Sequence, residues 1–123
     1  MEETLKQYEQ TFGEVPANIH QRLFVAEQAQ RQQSIEVIEA MRKVLLTENP
    51  LGPKLQQLVH FAMLIGAEAY APARLHAKAA LKAGATASEL FGVCETAAVI
   101  RGMPGFSEAT KIVYEVLREA EST

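Results

Sequence analysis

From Pro53 to Gly66 the chain reads PKLQQLVHFAMLIG, polar for one turn and then apolar on almost every side. A helix of that composition is expected to have protein around most of its circumference. Pro53 suits a first helical position, where its missing N–H costs nothing, and the preceding TENPLGP is turn chemistry. Gln57 and His60 stand three apart and share a helix face, two polar groups looking into an apolar interior. The plain reading of His60 is a satisfied core or interface histidine, because a buried polar group needs only some hydrogen-bond partner; the alternative is a pocket lining.

The remaining segments also carry helical periodicity. Met1 to Thr11 is polar and helix-permissive and stops at Phe12-Gly13, and Val15-Pro16 forces an extended step. Ala17 to about Gln30 carries Ile19, Leu23 and Ala26 at helical spacing. Ser34 is a candidate cap for a helix from Ile35 to Leu46, with Ile35, Ile38, Met41 or Ala40, and Val44-Leu45 as its apolar stripe and Glu36, Glu39, Arg42 and Lys43 outside. After a break at Gly66-Ala67-Glu68 the pattern restarts at Tyr70-Ala71-Pro72 and runs, dense in alanine, to a left-handed cap at Gly84. Thr86 and Glu89 match a capping box, predicting a helix from Ala87 with Leu90, Val93-Cys94, Ala97 and Arg101 along one side. Gly102 to Phe106 is a tight connection, and Pro104 or Ser107 opens a last helix with Ala109, Ile112, Val113, Val116, Leu117 and Ala120 inward. No segment alternates with period two long enough for a strand. The fold class is all-α, a single domain over 1–123 with about six or seven helices and short loops.

Composition narrows the function classes. Twelve Lys and Arg against fifteen Asp and Glu give a net charge of −3 with no basic stripe, so nucleic acid is not expected as a partner. The most apolar run, Leu58 to Ala67, is shorter than the ~20 residues of a bilayer span, and MEETLKQYEQ has no apolar leader core, so a cytoplasmic location without membrane partners is the expectation. A single cysteine, Cys94, leaves no CxxC pair and no internal disulfide; the simplest role for it is a small core residue.

His76 is the residue most open to a chemical role. It lies near the start of a helix facing the central one, on a face shared with Pro72 and Ala80, while Arg74, two residues away, is turned about 200° around the axis. Arg74 then has a neighbouring subunit or a surface carboxylate within reach. Arg101, closing the inner stripe of its helix, is an alternative partner for His76, inferred from position alone. Structural roles stand beside each of these: a histidine capping backbone groups or binding water, an arginine in an ion pair, and Glu68 and Tyr70 in a solvated turn.

Four stretches, FGEVPANI, LGPKLQQLVHFAMLIGA, LHAKAALKAGATASEL and IRGMPGFSEATKIVYEVL, run in order over nearly the whole chain. In them the sequence resembles the carboxymuconolactone decarboxylase superfamily, which includes the alkyl hydroperoxidase D-like proteins. The resemblance implies that fold and a homotrimer or homohexamer; apolar surface beyond what a lone small bundle buries points the same way. In the redox members a glutamate on the central helix and a CxxC before the histidine serve a peroxidatic thiol. Those positions fall here on Gln57, Ala69 and Pro72. Alanine and proline cannot replace a thiolate nucleophile, so disulfide-based peroxidase activity is not expected.

The decarboxylase branch also lacks the cysteine pair and keeps the Arg74-Leu75-His76 triplet, and the resemblance implies a reaction without metal or organic cofactor. Loss of CO₂ from a carboxylated lactone leaves charge on the lactone carbonyl, so the site needs a cation or donor there and an acid to protonate carbon. The expectation is a cofactor-free carboxy-lyase acting on a small acid or lactone, with His76 as acid or base, Arg74 or Arg101 as anchor, and Gln57, His60, Glu68, Tyr70 and Pro72 lining the pocket. Its rival is a non-catalytic, structural or ligand-binding oligomer that has lost the redox residues. Convergence of His76 and an arginine on an open cavity favours the first; a filled site favours the second.

Overall fold

The computed structural model describes residues 1–122. It is all-helical, with six helices in the order α1 (Glu2–Phe12), α2 (Ala17–Gln28), α3 (Gln32–Thr47), α4 (Pro53–Gly66), α5 (Tyr70–Lys82) and α6 (Ala87–Glu121), and no strand among the described residues. No helix among them is long and apolar enough to cross a membrane. The helices gather into two compact units, one ending at Gly52 and one starting at Pro53.

In the first unit α1 ends where Gly13 turns left-handed, φ 79°, and donates its N–H to the Glu9 carbonyl at 2.7 Å. Tyr8 and Phe12 are buried and stack with ring centroids 6.2 Å apart. α3 differs from its sequence reading at both start and faces. It begins at Gln32 with Arg31 in the capping position, so Ser34 lies inside the helix and caps nothing. Of the expected apolar stripe Ile35 is buried, whereas Ile38, Met41, Val44 and Leu45 are exposed. The cause lies on the face read as outer: the Tyr8 hydroxyl donates to Glu39 at 2.8 Å and Arg42 sits 5.3 Å from the centre of the Tyr8 ring, so α1 holds the polar side of α3.

The second unit packs α4 along α5 and against α6. Phe61 and Ile65 of α4, Ala73, Ala77 and Ala80 of α5, and Leu90, Cys94, Ala109 and Val116 of α6 form its core. Ala73, Ala77 and Ala80 of α5 pack in the same core as Phe61 and Ile65 of α4, and Gln57 of α4 reaches His76 of α5. The capping box is present in full, Glu89 N–H to Thr86 Oγ1 at 3.1 Å and Thr86 N–H to Glu89 Oε1 at 2.9 Å. The expected connection between the last two helices is a kink in α6 at Gly102, φ 70° and ψ −167°, with Pro104 in the turn that follows. α5 starts two residues before Pro72, which therefore sits in the first turn and is exposed.

Acid should loosen this unit. Backbone hydrogen bonding from Thr86 and then Lys54 holds the Glu89 carboxyl below its ordinary value of 4.5, and Lys78 and Arg74 do the same for Glu119. A depressed folded-state value means stability that is full above pH 4.5 and is lost as pH falls through the folded values. Denaturant midpoints should fall between about pH 5 and pH 3, and Glu89→Gln should flatten part of that slope. An unchanged slope in the variant would remove the capping carboxylate from this role.

Candidate functional site

The α4–α5 pair holds a polar cluster in an apolar setting. Gln57, buried on the second turn of α4, faces His76 on α5 with its Oε1 2.6 Å from Nδ1. An amide oxygen only accepts, so Nδ1 carries the hydrogen and donates it, and in the neutral ring Nε2 holds the basic lone pair. His60, one turn beyond Gln57, stacks on His76 with centroids 4.5 Å apart and planes 12° from parallel. Stacking fixes the ring plane and the amide fixes its tautomer. Gln57 orients His76 but relays no proton, because an amide neither gains nor loses one at ordinary pH.

A second cluster closes the α4–α5 break. Arg101 donates through Nη1 to the Tyr70 hydroxyl at 2.8 Å and to the Ile65 carbonyl at 3.4 Å, and through Nη2 to Glu68 at 2.5 Å. Glu68 is a non-glycine residue with φ 60°. Such a conformation persists only where its surroundings hold it, and the Arg101 pair supplies one such tie. Hydrogen bonding to Tyr70 and the Glu68 charge raise the already high pKa of Arg101. Gly105 makes room for this arginine, since a Cβ there would meet Arg101 Cβ at 2.6 Å.

Arg74 goes elsewhere, donating to Glu119 at 2.7 Å beside Lys78, with Glu115 at 4.0 Å. The sequence-selected residues thus form three groups: Gln57, His60 and His76; Glu68, Tyr70 and Arg101; and Arg74 with the carboxylates of the last helix. Pro72 is exposed on α5. A small cavity of about 50 Å³ opens beside Arg101, lined also by Ala62, Ile65, Gly66 and Val93. The α4 face that Gln57 shares with His60 is the one turned to His76, whereas nothing in the polar first turn signals that Gln56 is also buried.

A family model described as Carboxymuconolactone decarboxylase family matches residues 32–115. The chain belongs to this family. The match covers the first two clusters and Arg74 of the third, but ends before Glu119 and leaves α1 and α2 outside it. No curated protein and no solved structure gives a significant match. Within the carboxymuconolactone decarboxylase family this chain carries Ala69 and Pro72 at the break between α4 and α5. Its one thiol, Cys94, is fully buried, and burial pushes its pKa up to about 11, so little thiolate exists near neutrality. Among the described residues no group of three or more His, Cys, Asp or Glu is arranged to hold a metal ion.

Proposed function

We propose that the protein catalyses proton transfer coupled to decarboxylation of a small carboxylated lactone or related enolisable acid, with His76 Nε2 as the acid or base. The observation that carries this reading is the 2.6 Å contact from Gln57 to His76 Nδ1, with His60 stacked on the same ring. A pre-set tautomer and ring plane are what a general acid or base needs, because the proton must be delivered along one direction. Arg101 stands in a separate cluster from His76, so on this reading it serves as anchor only if the site closes around substrate; its side chain is mostly covered, and its partner Glu68 is 64% exposed. Arg74 is the alternative anchor. His76→Ala should lower CO₂ release from carboxymuconolactone by about 10²- to 10⁴-fold while far-ultraviolet circular dichroism stays unchanged. No turnover by the unsubstituted protein would end the claim for this substrate.

The second reading, a non-catalytic oligomer of the same fold, draws support from the two arginines. Both are already matched to carboxylates, and the cavity beside Arg101 is too small for a lactone unless the site opens. Either reading places the chain in a homotrimer or homohexamer. Met63, Val99, Ile100 and Met103 are each more than 60% exposed, an apolar surplus that self-association would cover. Light scattering should give three or six times the 13.5 kDa of the chain; a clean monomer would sink this part of the proposal.

A further inference from the structure

The first helix lies outside the segment matched by the family, and the groove it forms with α3 is not part of the site described above. That groove has a volume of about 260 Å³ and is lined by Gln7, Tyr8, Phe12, Arg42, Lys43 and Leu46, among others. The volume suits a ligand of about ten non-hydrogen atoms, near the low end for small-molecule sites.

Its chemistry is that of an acid receptor with an apolar bed. Glu39, the acidic side chain in the lining, accepts from the Tyr8 hydroxyl at 2.8 Å and has Arg42 at 3.8 Å and Arg22 at 4.0 Å. Its charge is met from three sides. Burial and the bond to Glu39 raise the Tyr8 pKa, so the hydroxyl remains a donor to that carboxylate at neutral pH. Two cations, Arg42 and Lys43, line the same groove against this one compensated anion, and among the described residues no carboxylate pairs with the Lys43 ammonium. Beside them the Tyr8 and Phe12 rings and Leu46 offer apolar surface, and Gln7 and Thr11 offer neutral donors and acceptors.

We propose that the α1–α3 groove binds a small monocarboxylic acid with an apolar body, its carboxylate on Lys43 and Arg42 and its body against Phe12 and Leu46. A neutral analogue lacks the ion pair and a cation meets the surplus positive charge, so the groove selects by charge as well as by size.

The test is a titration of the isotope-labelled full chain with benzoate, followed by amide shifts, with benzyl alcohol as the neutral counterpart. Saturable shifts are expected at residues 4–12 and 39–47, with a dissociation constant on the order of 1 mM, as for other ligands of this size. Benzyl alcohol should bind at least about threefold more weakly, and Lys43→Met should weaken benzoate by a similar factor. Lys111→Met, the same charge change on α6, should leave the affinity unaltered. Lys43 is exposed, so its loss should not disturb the fold. The proposal is overturned by absent or unsaturable shifts in these segments, by equal affinity for the alcohol, or by Lys43→Met behaving as the parent or as Lys111→Met. Shifts confined to α4 and α5 also overturn it and would return the acid to the histidine cluster.

Discussion

Phe61→Ala should lower the free energy of unfolding by about 3–5 kcal/mol and the melting temperature by roughly 10–20 °C. The ring is wholly buried in the core that α4 shares with α5 and α6, among Ile65, Ala77, Leu90 and Cys94. Two effects add. Truncation forfeits the transfer free energy of the ring, and it leaves a hole that small neighbours cannot close. Ala73, Ala77 and Ala80, which face this core from α5, have no longer side chains to swing into the hole. Phe61→Leu, which keeps most of the volume, should recover more than half of the loss. Equilibrium denaturation with urea reads both variants. A cost below about 1 kcal/mol for the alanine would mean that the core does not rest on this ring.

That core was legible in advance because its signal is periodic. The apolar residues of α4, the small residues of α5 and the inward positions of α6 repeat at helical spacing, and the Thr86–Glu89 box and Gly84 mark ends by local chemistry that works in any tertiary setting. Ser34 shows the converse. A serine preceding an apolar run is a good cap only if the chain turns there, and Arg31 turns first, after Gln30 has adopted φ 57°. The faces of α3 were not legible for a different reason. Tyr8 and Glu39 are thirty-one residues apart, and a hydrogen bond of that span leaves no mark in either helix's periodicity.

The same division runs through the candidate site. Helical phase separates Arg74 from His76 and aims His76 at α4, and the observed partners, Glu119 for one and Gln57 for the other, follow that geometry. Arg101 is different. Its place at the end of an apolar stripe marked it as unusual, yet its contacts with Tyr70, Glu68 and the Ile65 carbonyl depend on how α6 bends, and bend direction is a property of the packed molecule.

The bend itself should prove the most sensitive point outside the core: Gly105→Ala is expected to cost about 2–3 kcal/mol. The new Cβ would lie 2.6 Å from Arg101 Cβ and 3.5 Å from its Nη1. The nearer atom is the root of a side chain, not a flexible tip, so the clash is relieved only by moving the helix or rotating the arginine away. Rotation would take the guanidinium from Tyr70 and Glu68, loosening the α4–α5 break as well as the kink. Gly102→Ala probes the same bend by another route. A Cβ there finds only Pro104 Cδ at 3.8 Å, so space is ample, but φ 70° with ψ −167° belongs to a region that glycine alone occupies readily, at a cost of about 1–3 kcal/mol for alanine. The two variants therefore differ in what repairs them. Gly105→Ala combined with Arg101→Ala still sets two Cβ atoms together and should stay destabilised, whereas Gly105→Ala with Arg101→Gly should regain most of the steric loss. If Arg101→Gly gives no rescue, the clash is not the cause and the kink depends on Gly105 for backbone reasons instead.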